Sequence, residues 1–136
     1  MLRITIVKPC REIKKLASSA MSDLDFTNGI DWDHTKTGKQ VVALLNEQCY
    51  KIQGNGLGLK GKGSVLPHRD QGCKYVAVWL VSATEECHLM IAANNHNNTL
   101  LDVGEIIVFD SSLLHSWVSR GRWSLIVQDV TKSRAK

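Results

Sequence analysis

Apolar residues follow one spacing in the first fifty residues of this chain and another in the remainder. Residues 2–7 alternate and carry β-branched side chains, which predicts a strand. Pro9 then precedes a segment with apolar residues at helical spacing as far as Leu24, so we expect a helix there. Residues 41–52 fit a helix that ends in either a helical turn or a strand. The N-terminal part therefore predicts one strand and one or two helices.

From Gly54 onward, short apolar runs recur and are separated by turn residues. This rhythm is typical of an antiparallel sandwich or barrel rather than of alternating strands and helices. The run 75–81 is apolar at every position, so both of its faces should be covered, the outer one by an N-terminal helix. The runs are 57–66, 75–81, 88–92, 99–103, 106–109, 113–118 and 123–130.

Length and composition fit one domain, residues 1–136, with 43% hydrophobic and 22% charged residues. We divide it into an N-terminal strand and helical cover (1–53), a β-rich core (54–130) and a basic tail (131–136). The longest apolar run is too short to span a membrane. Lysine and arginine interrupt the N-terminal segment, which argues against a secretory signal. We expect no membrane contact and a cytoplasmic location.

The four cysteines are scattered and form no CxxC pair, which is typical of a protein from a reducing compartment. A zinc site from Cys73, Cys87 and His88 is conceivable, but the spacing fits no common zinc motif. The net charge of +4 permits an anionic partner without requiring one.

The candidate chemistry lies in His68-x-Asp70 and in the distant His115. In an extended segment residues i and i+2 project to one side, so His68 and Asp70 would share a face. Two imidazoles and a carboxylate are the ligand set of non-haem Fe(II) oxygenases, with positions left for a chelating cosubstrate and dioxygen. The alternative is a chance His-x-Asp, with His115 a hydrogen-bonded core histidine.

Residues 116–130 predict a strand, a tight turn and a second strand. A two-residue turn at Arg120-Gly121 would point His115, Arg122 and Ser124 to the same side. Arg122 would then bind the far carboxylate of a dicarboxylate cosubstrate, and Ser124 would add a hydrogen bond. A three-residue turn would turn Arg122 away and leave Arg120 as the ligand. Alternatively, both arginines are solvent-exposed.

These segments resemble the 2-oxoglutarate and Fe(II)-dependent oxygenase superfamily, in particular its prolyl-hydroxylase-like branch. Residues 104–115 are similar to the family's Gly-acidic-apolar segment with its Phe, Ser and final His. Residues 63–70 are similar to its Gly-x-x-apolar-Pro-His-x-Asp segment, and Arg122-Trp123-Ser124 matches its Arg-x-Ser. The resemblance covers residues 54–130. The chain departs from the family pattern at one place: the interval between His115 and Arg122 is shorter than in the family.

The resemblance implies a mainly β fold, a double-stranded β-helix of the jelly-roll or cupin type, with one or two N-terminal helices packed on the major sheet. It implies that Fe(II) is held by the catalytic residues His68, Asp70 and His115, and 2-oxoglutarate by Arg122 and Ser124. The implied activity is that of a dioxygenase, a hydroxylase that couples decarboxylation of 2-oxoglutarate to C–H oxidation. Its substrate is not identified: protein side chain, nucleobase and small molecule all remain open.

Two other functions are compatible with the sequence. In the first, the β-helix binds a metal or ligand without catalysis. In the second, the chain binds nucleic acid through its excess of basic over acidic residues. The latter ranks last because no aromatic-rich strand platform for bases is present. The glycines of residues 54–63 indicate a strand that something approaches closely, and Trp117 lies one step beyond His115 on the inferred inner face.

Overall fold

Two helices and ten strands make up the part of the chain that the computed structural model describes, residues 4–7, 11–26, 29–69, 75–91 and 97–132. The bounds of these elements are β1 Ile4–Val7, α1 Arg11–Asp23, α2 Lys36–Glu47, β2 Tyr50–Ile52, β3 Leu57–Lys62, β4 Val65–His68, β5 Tyr75–Ala83, β6 Cys87–Ile91, β7 Asn97–Leu101, β8 Ile106–Asp110, β9 His115–Ser119 and β10 Arg122–Lys132.

The strands form two antiparallel sheets. The major sheet has the order β1-β8-β5-β10-β2, with β3 also paired to β10, and the minor sheet has the order β4-β9-β6-β7. From β3 to β10 the chain passes repeatedly between the two sheets, so that few consecutive strands are hydrogen-bonded neighbours. This arrangement confirms the predicted mainly β, jelly-roll fold of the double-stranded β-helix type.

Buried apolar residues form two layers, one on each face of the major sheet. On the outer face, Leu16, Ala17 and Ala20 of α1 pack with Trp79 and with residues of α2. Between the sheets lies the second layer, which includes Val76, Val78, Leu80, Leu89, Ile91, Phe109 and Leu125. Strand β5 is therefore covered on both faces, as its sequence predicted. Neither of the two described helices is long and apolar enough to cross a lipid bilayer.

The N-terminal part also contributes strands to the major sheet. β1 pairs with β8, and β2 pairs with β10. Gln128 of β10 is buried; its Oε1 accepts a hydrogen bond from Trp32 Nε1 at 2.6 Å. Its Nε2 donates to the carbonyl oxygens of Gln53 and Gly54 at 3.0 and 3.1 Å. Described residues of the segment 1–53 are thus joined to the core by backbone and side-chain hydrogen bonds.

Two details differ from the sequence prediction. The run 57–66 is not one strand, because Gly63, at φ 81°, separates β3 in the major sheet from β4 in the minor sheet. Strand β10 continues to Lys132, with Thr131 opposite Lys51, so it includes the first two residues of the predicted tail. Residues 133–136 lie outside the described residues.

Candidate metal centre and adjoining cavity

His68 and His115 face each other on neighbouring strands of the minor sheet. They are direct partners where β4 pairs with β9, and their ring centroids are 4.4 Å apart. His115 is buried, at 6% exposure, whereas His68 is exposed. The structure therefore brings together two of the three predicted metal ligands, near the surface of the molecule.

A break in the strand pairing allows this meeting. Val65 pairs with Trp117, and uninterrupted pairing would place Pro67 opposite His115. The register shifts between Val65 and His68, so β4 holds one residue more than β9 over this interval. Pro67 suits such a bulge because it has no backbone N–H to pair. The bulge turns His68 to the side on which His115 lies.

Backbone carbonyl groups orient both imidazole rings. Nδ1 of His68 lies 2.9 Å from the carbonyl oxygen of Leu66, and Nδ1 of His115 lies 2.7 Å from that of Leu113. A carbonyl oxygen can only accept, so each Nδ1 donates and carries the proton. In a neutral ring this leaves the lone pair on Nε2, the tautomer that binds a metal through Nε2. The ring of Phe109 packs edge-on against His115, with centroids 4.9 Å apart.

The spacing of the two rings fits one shared metal ion. A metal–nitrogen distance of about 2.1 Å, with two imidazoles at right angles around one ion, sets their ring centres about 4.5 Å apart. Asp70, the third predicted ligand, lies outside the described residues. Among the residues that are described, no three His, Cys, Asp or Glu side chains form a group that could hold a metal. Asp70 as the third ligand therefore stays a prediction from the sequence.

The alternative zinc site receives no support from the described residues. Cys87 and His88 are adjacent in the extended strand β6, so their side chains project to opposite sides. His88 Nδ1 contacts Asn98 Oδ1, whereas the Cys87 thiol is buried 3.6 Å from Ser119 Oγ. Burial raises the pKa of the Cys87 thiol, an effect partly offset by the Ser119 hydroxyl. The protonated thiol that results is a poor metal ligand. Cys73 lies outside the described residues.

A cavity of about 250 Å³ adjoins the histidine pair between the two sheets. Its described walls carry no Lys, Arg, Asp or Glu side chain. Apart from His68 and His115, every lining residue is apolar or is a tryptophan; these are Leu57, Leu59, Val65, Val76, Val78, Leu89, Phe109, Trp117, Trp123, Leu125 and Val127.

Trp117 is the lining residue with an unsatisfied polar group. It is 5% exposed, and its Nε1 is buried without a hydrogen-bond partner in the described part of the chain. Leaving such a donor unpaired costs about 1–3 kcal/mol. By contrast, Trp123, which packs edge-on against Trp117 with centroids 6.0 Å apart, donates from Nε1 to the Gly63 carbonyl oxygen at 2.8 Å. The prediction that Trp117 lies on the inner face beside His115 is confirmed.

Arg122 and Ser124 do not lie with the histidines, so the prediction that they share a face with His115 is wrong. β9 and β10 belong to different sheets and form no hairpin. Along β10, Trp123 and Leu125 point into the cavity, and the alternation of a strand turns Arg122 and Ser124 outward. There they line a separate cavity of about 260 Å³, together with Lys60, Gly61, Ser82, Ala83, Thr84 and Trp123.

The alternative arginine is also outside the histidine cavity. Arg120 is exposed and lines a surface pocket with Glu85, Glu86 and His88. The cavity beside the histidines therefore receives neither of the two predicted guanidinium groups. A dicarboxylate such as 2-oxoglutarate would place its far carboxylate against apolar walls, and an unpaired charge in such surroundings is strongly unfavourable. As the described residues form it, the cavity does not fit 2-oxoglutarate.

Solved structures with the same fold include a prolyl-4-hydroxylase from Pseudomonas putida. It matches 98% of this chain and 87% of its own at 14% identity, with a TM-score of 0.63. HygX from Streptomyces hygroscopicus, solved with iron bound, matches 96% of this chain and 83% of its own at 11% identity, with a TM-score of 0.56. No protein-family model matches the chain, and no curated protein does. At these identities the likeness establishes the fold.

Proposed function

We propose that this chain is a non-haem iron oxygenase in which His68, Asp70 and His115 hold one Fe(II). Bound Fe(II) would supply the activation of dioxygen; oxidation of a C–H bond would further need two electrons from a cosubstrate that is oxidised in the same reaction and takes up or reduces the second oxygen atom. The chain's own contribution is to present two imidazoles through Nε2, fixed by the carbonyl groups behind them, beside an apolar cavity. A hydroxylase reaction and a cytoplasmic location remain predictions from the sequence.

The matched orientation of His68 and His115 carries this proposal. Two histidines on different segments meet through a strand bulge, and each ring is held by the carbonyl group two residues before it. Such backing of both rings is typical of metal-bound histidines. The fold that the chain shares with an iron-bound protein and with a prolyl-4-hydroxylase adds support.

The 2-oxoglutarate cosubstrate was predicted from the resemblance of the sequence. Its binding requires a cation opposite the far carboxylate, and the described cavity wall offers none. Oxygen uptake is therefore compared with and without 2-oxoglutarate.

A second candidate is a metal- or ligand-binding β-helix module without catalysis. The apolar cavity favours it, since the expected cosubstrate charge has no described partner there. This module would bind iron but consume no dioxygen.

Equilibrium dialysis of Fe(II) under anaerobic conditions tests the metal site. Wild-type protein should bind one ion, and His68→Ala, Asp70→Asn and His115→Ala should each weaken binding at least tenfold, on the order of the loss seen for supporting metal-site residues. His88→Ala, which removes a histidine from the other end of the minor sheet, is the matched control and should bind like wild type.

Oxygen uptake by the iron-loaded protein tests catalysis. It should exceed that of the His115→Ala variant when candidate substrates are supplied with and without 2-oxoglutarate. Iron binding that survives the ligand substitutions would overturn the metal assignment. Iron binding without oxygen uptake under any condition would favour the non-catalytic module.

A further inference from the structure

We infer that the cavity on the outer face of the major sheet, lined by Lys60, Arg122 and Ser124, binds the phosphate group of a small phosphate monoester. This cavity lies on the other side of the major sheet from the cavity beside the histidines. Its binding groups include neither the histidines nor Asp70, so the inference is independent of the proposed function.

Strand pairing places polar side chains in two adjacent rows across the sheet. In one row, Lys62 of β3 is directly opposite Arg122 of β10. In the next row, Lys60 of β3 is opposite Ser124 of β10, which is opposite Ser82 of β5. Opposed residues share a face, and rows two residues apart are separated by about 7 Å. Three cations and two hydroxyl groups therefore lie within one small patch of the sheet.

A β-bulge in β5 adds Ser82 to this patch. Ser82 and Leu80 are opposite Ser124 and Leu125, which are consecutive, so β5 holds one extra residue, Val81, over this interval. Val81 packs in the outer core layer, whereas Leu80 packs between the sheets. Regular alternation after Val81 would turn Ser82 inward, but the bulge leaves it in the wall of the outer cavity. Bulges that redirect a side chain are common beside functional sites.

Ser124 supplies a buried polar group that borders the cavity. Its side chain is in a residue only 6% exposed, and its hydroxyl has no hydrogen-bond partner among the described residues. Unlike the indole nitrogen of Trp117, the Ser124 oxygen keeps accessible surface, and the residue lines the cavity. Buried polar groups are nearly always paired in native proteins. An unpaired hydroxyl that an occupant can reach therefore indicates an acceptor in the cavity.

The positive charge comes from Lys60 and Arg122, which line the cavity, and from Lys62 next to them. The Lys60 ammonium nitrogen lies 5.3 Å from the centre of the Phe26 ring, a contact that holds this side chain in place. Within the described residues, no Asp or Glu forms an ion pair with any of the three cations. Opposed like charges repel, and an anion bound between them would relieve that repulsion.

The set of donors fits a phosphate monoester. A guanidinium can bind two phosphate oxygens, an ammonium adds a compact positive charge, and hydroxyl groups donate to a further oxygen. A monoester carries a charge of about −1.5 to −2 at pH 7, whereas a phosphodiester of nucleic acid carries one negative charge. Three cations in one patch therefore favour the monoester. The cavity volume of about 260 Å³ suits a small molecule rather than a polymer.

An NMR titration of the metal-free protein tests the site, with methyl phosphate as the probe at about pH 8, where it is a dianion. Backbone amide signals around Ser82 and Ser124 should shift saturably, whereas those around His115 should stay in place. Trimethyl phosphate, which has the same central group without charge, should shift none of them. A single-stranded oligothymidylate without terminal phosphates tests whether the surface binds the nucleic-acid backbone instead.

Substitutions in the cavity wall should weaken the binding of methyl phosphate. We expect a loss of at least about tenfold for Lys60→Gln, Arg122→Gln and Ser124→Ala, because each removes a hydrogen bond to a charged group. Lys51→Gln is the matched control. It removes one positive charge from an exposed position of β2, opposite Thr131 at the far end of β10, and should bind like wild type.

Three results would overturn the inference. The first is the absence of a saturable shift with methyl phosphate. The second is an equal loss of binding in Lys51→Gln, which would leave net charge as the explanation. The third is tighter binding of the oligothymidylate, per phosphate group, than of methyl phosphate. The titration of wild type locates the site by itself if Ser124→Ala does not fold. Because no iron is present, these outcomes are separate from those of the iron experiments.

Discussion

Arg122 and Lys62 stand directly opposite each other where β10 pairs with β3. Both are exposed and lie on the outer face of the major sheet. Directly opposed like charges destabilise a strand pair. The position of Arg122 therefore weakens the sheet slightly, in contrast to the cosubstrate role that the sequence suggested for it.

Reversing one of these charges should stabilise the protein. We expect Arg122→Glu and Lys62→Glu each to raise the free energy of unfolding by about 0.2–1 kcal/mol, because each creates an opposed pair of unlike charges. The double variant should lose the gain, since it restores like charges. Urea denaturation of wild type, the two single variants and the double variant gives the coupling free energy between the two side chains. A coupling free energy of zero would show that the two side chains do not interact.

Iron should stabilise the chain by joining β4 to β9. At a hundredfold excess over its dissociation constant, a ligand of the folded state adds about 2.7 kcal/mol. For a chain of this length we expect Tm to rise by roughly 8–12 °C. Anaerobic thermal unfolding with and without Fe(II) measures this, with His88→Ala as the matched control. If Fe(II) raises the Tm of His115→Ala by the same amount, the ion binds at another site.

A cation introduced into the cavity wall should create affinity for 2-oxoglutarate. Leu59 lines the cavity and is partly exposed, so Leu59→Arg can keep its guanidinium hydrated at the rim while reaching a bound carboxylate. We expect a gain of at least about tenfold in affinity over wild type, measured by calorimetry. Leu100→Arg adds the same charge at an exposed leucine that does not line this cavity. If Leu100→Arg gives the same gain, net charge alone explains the effect.

The buried thiol of Cys87 should make stability depend on alkaline pH. Its pKa in the folded state is raised by burial above the ordinary value of 9.0, and Ser119 offsets part of that rise. Below pH 9 the thiol is protonated in both states, so its contribution is fully present there. As the pH rises above 9, the unfolded chain releases its proton first, and stability falls.

Urea denaturation of wild type and Cys87→Ala separates the contribution of the Cys87 thiol from that of the other cysteines. The difference in unfolding free energy between the two proteins should stay constant from neutral pH to about pH 9. Above that pH, wild type should lose stability relative to Cys87→Ala. A difference that stays constant well above pH 9 would mean that the thiol titrates alike in the folded and unfolded states.

Local patterns in the sequence predicted most of the elements. Helical spacing of Leu16, Ala17 and Ala20 predicted α1 and its buried face, and the unbroken apolar run of β5 predicted a strand covered on both sides. These features depend on which side chains leave water, and neighbouring residues suffice to show it. The motifs around His68 and His115 likewise predicted that the two rings would meet.

The tertiary structure alone decided which way the site residues face. A single extra residue in β4 turns His68 toward His115, and the passage of the chain between sheets after Ser119 removes the expected hairpin and turns Arg122 outward. Because strand side chains alternate with a period of two, a shift of one residue reverses every side chain beyond it. Local sequence does not encode such shifts, since they follow from how two sheets close around a shared interior. The sequence by itself determined which two histidines would pair; the packing of the two sheets determined that the cavity beside them is apolar.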